Sequence, residues 1–88
     1  MITWDESKQT ANVRKHKIDL AALEPVFDAH MVTVEDDSER YGELRLQSLG
    51  MWHGRVVFLV WTPRDEVAHL ISCRYADRKE TDDYFSAL

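Results

Sequence analysis

The sequence predicts an α+β domain: an antiparallel sheet of about four to five strands, two N-terminal helices and a C-terminal helix. Three observations predict it. Helix caps and helical apolar spacing are confined to the two ends of the chain. From residue 31 the apolar period becomes strand-like and stays so to Tyr75. Short turn signals separate those strand-like runs, so sequential neighbours pair antiparallel. With 88 residues, the whole chain, 1–88, reads as a single domain.

The elements follow in order. Ile2-Thr3-Trp4 reads as a short first strand. Thr3 and Glu6 stand at capping-box spacing, with Asp5 and Glu6 where the helix dipole favours acids, and the helix runs to about His16. Trp4, Lys8, Ala11, Lys15 and Ile18 align on its least polar stripe. Asp19 caps a second, shorter helix, with Leu20, Leu23 and Phe27 at i, i+3, i+7; Pro25 predicts a kink or restart near Glu24. Residues 31–35 alternate weakly, and Leu44 and Leu46 share one face of the run 43–49. Gly50 and His53-Gly54 signal a hairpin turn. Residues 56–61, VVFLVW, are apolar on both faces, as in a central strand. The run T-P-R-D-E turns the chain into a last strand, 67–75, where strict alternation assigns Val67, His69, Ile71, Cys73 and Tyr75 to the core and Arg74 to the other face. Asp77 and Glu80 form a second capping-box pair and open the terminal helix.

Composition excludes several classes. No apolar run approaches the length of a membrane span, and the acidic N-terminus lacks the apolar core of a signal peptide. The single cysteine, Cys73, allows no internal disulfide, fits the cytoplasm, and sits among apolar neighbours as a buried thiol does. The net charge of −5 argues against a general nucleic-acid binder. That acidity is local: residues 28–43 hold six acids against Arg40, and the rest of the chain holds ten acids and ten bases.

Candidate chemistry rests on the bases. Arg55, Arg64 and Arg74 open or close neighbouring strands, and a twisted sheet can gather them into one concavity. Guanidinium groups bind phosphate oxygens as a fork and stabilise developing negative charge. Lys15 and His16 add a second wall, and His16 can move a proton near neutral pH. The other reading of the same residues is solvated surface charge. The histidines and Cys73 lack metal-ligand spacing, and neither a Gly-rich phosphate loop nor a nucleophile motif is present. The carboxylates at 35–39 read as a solvated acidic loop, with a paired-carboxylate metal site as the alternative. No cofactor is expected.

The motifs W-D-E-x-K at the start, N-x-x-K-H at 12–16, V-F-D at 26–28, E-x-R at 43–45, G-R before the apolar strand, T-x-R at 62–64, I-S-x-R-x-A at 71–76 and K-E-x-x-x-Y at 79–84 together resemble the BrnT toxins. The resemblance implies a RelE-like ribonuclease toxin of a bacterial type II toxin–antitoxin pair. It implies metal-independent attack of a ribose 2′-hydroxyl on the adjacent phosphate. It also implies a BrnA-type antitoxin, a 2:2 heterotetramer, contact with operator DNA only through the antitoxin, and no membrane partner. Carried over by motif, Arg64 and Arg74 are phosphate clamps, and Lys15 and His16 hold phosphate or move a proton. Trp4 stacks on a base or closes the core. Arg55, Arg78 and Lys79 are expected to bind RNA. Two departures stand out. Leu20-Ala21-Ala22 replaces an aromatic followed by glutamates, leaving Glu24 as a nearby substitute base, and Lys17 stands where glycine is common. The first departure admits an alternative: a catalytically weak or inactive RelE-fold binding module that only partners a DNA-binding antitoxin or regulator.

Overall fold

In the computed structural model, residues 1–36 and 42–88 are described. The order is β1 (Ile2–Trp4), α1 (Glu6–His16), two 3₁₀ turns (Leu20–Ala22 and Glu24–Asp28), β2 (Val32–Asp36), β3 (Arg45–Trp52), β4 (Arg55–Arg64), β5 (Val67–Tyr75) and α2 (Arg78–Ser86). The five strands form one sheet in the order β1-β5-β4-β3-β2. β2, β3, β4 and β5 pair antiparallel in sequence order, with two-residue turns between β3 and β4 and between β4 and β5. β1 departs from the antiparallel expectation: it pairs parallel with β5, Ile2 opposite Ala68 and Trp4 opposite Leu70.

Local chemistry explains the boundaries. Asp19 accepts from the Ala21 N–H, as a cap should. Pro25 enters the second 3₁₀ turn near its start, so the expected second helix becomes two tight turns with a restart at Glu24. The capping box expected at Thr3 does not form. Asp5 is the N-cap residue and makes no side-chain cap bond, while the Thr3 hydroxyl lies 2.8 Å from His69 Nδ1 across the β1–β5 pair. At the other end of the chain the predicted capping box is complete: Glu80 N–H donates to Asp77 Oδ1, and Asp77 N–H to Glu80 Oε1. Gly50 does not turn the chain; it lies inside β3, and the turn is His53-Gly54, both with positive φ. A Cβ at Gly50 would sit 2.5 Å from Val26 Cγ1, so only glycine lets the second 3₁₀ turn lie this close to the sheet. The strand β4 runs on through Thr62-Pro63-Arg64, and the next reversal uses Asp65 and Glu66, both left-handed.

The core lies between the sheet and the layer of α1 and the 3₁₀ turns. Ile18, Leu20, Leu23, Val26, Val57, Leu59, Leu70 and Cys73 are buried there, with Trp4, Phe27, Trp52, Trp61 and Tyr75 packed around them. Strict alternation along β5 fails at one point. Ser72 pairs with Val60 but Leu70 pairs with Trp61, so Ile71 has no partner across β4. This bulge shifts the parity: Leu70, not His69 or Ile71, joins Cys73 and Tyr75 on the core face. The other sheet face carries Phe58, Val60, Ser72 and Arg74, and α2 covers part of it, with the Tyr84 hydroxyl donating to the His30 carbonyl at 3.1 Å. The inward stripe of α1 also differs from expectation by one position. Lys8, Ala11 and Lys15 are exposed, and the helix turns Gln9, Asn12 and His16 inward. Asn12 is buried, donating to the Ile18 carbonyl at 2.8 Å and accepting the Cys73 N–H at 2.9 Å. No described helix is long and apolar enough to cross a membrane.

Candidate functional site

The topology sorts charge along the strands. β1 and β5 run parallel, and α1 follows β1, so α1 travels along β5 and its C-terminus arrives beside the C-terminal end of β5. The β3–β4 turn and the start of α2 lie at this same end. Arg14, Lys15, Lys17, Arg55, Arg74, Arg78 and Lys79 therefore share one pole, along with His16 and His53. They are seven of the ten Lys and Arg residues among those described. Glu35, Asp36 and Glu43, from the acidic stretch, lie at the opposite ends of β2 and β3. The carboxylates at 37 and 39 of the expected acidic loop fall outside the described residues, and no group of three metal-ligating side chains occurs among the described ones.

Arg74 is the centre of the basic pole. Its Nη1 and Nη2 donate to Glu80 Oε1 and Oε2, each at 2.9 Å, and Nη1 also reaches the Tyr75 carbonyl at 3.2 Å. The guanidinium lies 4.3 Å above the Phe58 ring centre. The hydrogen bond from Arg74 holds Glu80 below the usual carboxylate range, and the same bond raises Arg74. His16 sits below its ordinary value of 6.5, first through burial, then through the charges of Lys15 and Arg74. Its imidazole is therefore neutral near pH 7 and able to accept a proton. Arg55 lies 3.7 Å over the Tyr75 ring, and Trp52 stacks on His53 at 4.0 Å, which places partly exposed aromatic rings beside an exposed cation at the same end. Burial pushes the Cys73 thiol up to about 12, so it is a structural group and not a nucleophile.

Of the residues singled out from sequence, Lys15, His16, Arg55, Arg74, Arg78 and Lys79 come together here. Three do not. Arg64 closes β4 six residues beyond Phe58, the partner of Arg74, so the two backbones stand roughly 20 Å apart on one sheet face. Its guanidinium pairs with Glu43 at 3.2 Å. A single anion pocket shared by Arg64 and Arg74 is thus not what the sheet builds. Glu24 faces the Met1 ammonium at 3.6 Å, at the start of β1, away from His16. Trp4 packs against the core and donates its indole N–H to Glu6 at 3.2 Å, four residues short of Arg74 along the β1–β5 register. The residue that sequence reasoning left out is Glu80: its capping position was visible, but its second partner, Arg74, lies in a different element.

Lys17 (φ 61°, ψ 28°) ends α1 in the left-handed conformation that glycine takes most readily, so the lysine holds the same cap geometry at a backbone cost. Its ammonium turns back to the Arg14 carbonyl at 3.0 Å.

Comparison with known proteins agrees with this architecture. No curated protein matches the sequence. Among solved structures, the chain is similar to the 1.1 Å crystal structure of the Brucella abortus ribonuclease toxin BrnT, with a TM-score of 0.73 and 28% identity over 88% of this chain and 96% of that one. The family model described as "Ribonuclease toxin, BrnT, of type II toxin-antitoxin system" matches residues 4–80, nearly the whole length of the fold just described. The chain belongs to the BrnT family of ribonuclease toxins of type II toxin–antitoxin systems.

Proposed function

We propose that this BrnT-family toxin is a RelE-like endoribonuclease of the cytoplasm that cleaves RNA without a metal ion and so inhibits translation. The observation that carries the reading is that the end of α1, with His16, and the end of β5, with the guanidinium of Arg74 fixed by Glu80, arrive at one basic pole. RNA phosphates are drawn to that pole by its cations. His16 takes the proton of a ribose 2′-hydroxyl as its oxygen bonds to the adjacent phosphorus. Arg74 stabilises the charge that builds on the phosphate oxygens, and the 5′-oxygen departs, collecting a proton from Lys15 or water. A cyclic phosphate and a free 5′-hydroxyl result. Arg55, Arg78 and Lys79 hold flanking RNA. Arg64, at the far end of the same sheet face, contacts a distant phosphate of a strand lying along the sheet. The partly exposed Trp52–His53 and Arg55–Tyr75 pairs suit unstacked bases.

The partner in this reading is a BrnA-type antitoxin, in a complex of two toxins and two antitoxins that alone touches operator DNA. It neutralises the toxin by covering the basic pole with an acidic or apolar segment. The test is expression of the chain with and without its partner, beside incubation of the purified chain with RNA in EDTA. Growth arrest without the partner and cleavage in EDTA are expected. Cleavage abolished by EDTA refutes the metal-independent step. Intact RNA with no growth arrest refutes the enzyme and leaves a binding module that only partners the regulator, the reading that Leu20-Ala21-Ala22 favours.

A further inference from the structure

An arginine side chain has four flexible torsions, and its usefulness to a phosphate depends on which edge of the guanidinium faces the ligand. Five N–H groups are available. In this fold Arg74 spends three: one each from Nη1 and Nη2 on Glu80, and the second Nη1 hydrogen on the Tyr75 carbonyl. What remains is Nε–H and the second Nη2–H, which lie side by side on one edge and form the fork that takes two oxygens of a phosphate. Glu80 is itself held. Its backbone N–H is tied to Asp77 Oδ1 at 2.8 Å, and its Oε1 receives the Asp77 N–H at 2.9 Å. The capping box of α2 thus locks a carboxylate, and that carboxylate locks the arginine above Phe58.

We propose that Glu80 is a positioning residue of the ribonuclease: by gripping the Nη1–Nη2 edge of Arg74 from a capped helix start, it aims the Nε–Nη2 edge at the scissile phosphate. The proposal rests on the reading of Arg74 as the phosphate-binding arginine. It assigns to Glu80, in the K-E pair at 79–80, a role in the reaction beyond capping the helix. Small losses of aim are costly in such sites, since misplacement of about 1 Å can lower a rate on the order of 100-fold.

The experiment is cleavage of a defined RNA by the purified full chain under steady-state, multiple-turnover conditions, with thermal melts run in parallel. Glu80→Gln keeps an oxygen for the Asp77 N–H but turns an amide donor toward Nη2. The expected result is a 10- to 100-fold lower kcat, a KM within about two-fold and a nearly unchanged Tm. In an Arg74→Lys background the same change should cost less than two-fold, because an ammonium has no edge to aim. Asp77→Ala removes the Oδ1 cap but keeps the Asp77 N–H on Glu80 Oε1 and the Arg74–Glu80 pair, so it should lower Tm and lower kcat by less than Glu80→Gln does below the melt. A wild-type kcat for Glu80→Gln overturns the proposal. So does an equal loss in the Arg74→Lys background, or a kcat loss in Asp77→Ala that matches that of Glu80→Gln. Full activity of Arg74→Ala would remove the reading of Arg74 beneath it, an outcome distinguishable from a dead Arg74→Ala beside a fully active Glu80→Gln.

Discussion

Replacing Arg74 with alanine separates the proposed catalysis from folding, because the two expected effects differ greatly in size. Folding loses two hydrogen bonds to Glu80, one to the Tyr75 carbonyl and the contact over Phe58. The Arg74 side chain is 39% exposed, so its ion pair is screened by water and contributes on the order of 1 kcal/mol or less. Glu80 keeps the Asp77 N–H and does not become a buried orphan charge. For a domain of this size, about 1 kcal/mol corresponds to a Tm shift of about 4–8 °C. In the proposed mechanism catalysis loses the guanidinium that meets developing phosphate charge, a deletion that costs roughly 100- to 1,000-fold in kcat in comparable sites. The assay is growth of cells expressing the variant without a partner, together with RNA cleavage at a temperature at least 15 °C below the measured Tm. The expected outcome is a folded, non-toxic protein. A folded Arg74→Ala protein that cleaves at the wild-type rate would refute the reasoning, as would an activity loss fully recovered on cooling.

Three further outcomes follow from other parts of the molecule. His16 has a folded value below 6.5, so the folded state resists its protonation. Its stabilising contribution is present above 6.5 and is lost as pH falls below 6.5 toward the depressed value. The acid limb of kcat/KM should lie below pH 6.5 and vanish in His16→Gln, and a limb unchanged in that variant would assign the titration elsewhere. Arg64→Ala should raise KM and flatten the salt dependence of RNA binding while leaving kcat within about two-fold, because in the proposed reading the distal guanidinium meets RNA far from the bond that breaks. Lys17→Gly should raise stability by about 1 kcal/mol in denaturant unfolding by relieving the left-handed backbone, and a lower midpoint would show that the Lys17–Arg14 contact outweighs the strain.

The features legible in the sequence are those whose causes are local. The Asp19 and Asp77 caps, the restart forced by Pro25 and the His53-Gly54 turn each depend on groups a few residues apart, and each stands where the sequence places it. The fold class was legible for the same reason, since the shift in apolar period at residue 31 marks where helical turns end and the meander begins. Features set by distant partners were not. Nothing in the run H-L-I-S-C announces that Ile71 will bulge, because the bulge depends on the register with β4. Gly50 resembles a turn residue until Val26 is placed against it. The helix stripe was misjudged because α1 turns a polar row inward, and hydropathy cannot recognise an inward face built on hydrogen bonds. Arg64 and Arg74 share a face as spacing suggests, but spacing does not measure distance along a strand.

Asn12 joins two segments that the chain connects only through some sixty intervening residues. One amide group tethers the exit of the first helix and the backbone immediately before Arg74, so proton acceptor and cation ride on a common frame. Motion that separated them would strand two main-chain groups away from water at once. The interval between the two halves of the proposed chemistry is therefore a property of the hydrophobic interior. A substitution at Asn12, though it touches no RNA, would be felt as a loosening of the reaction itself.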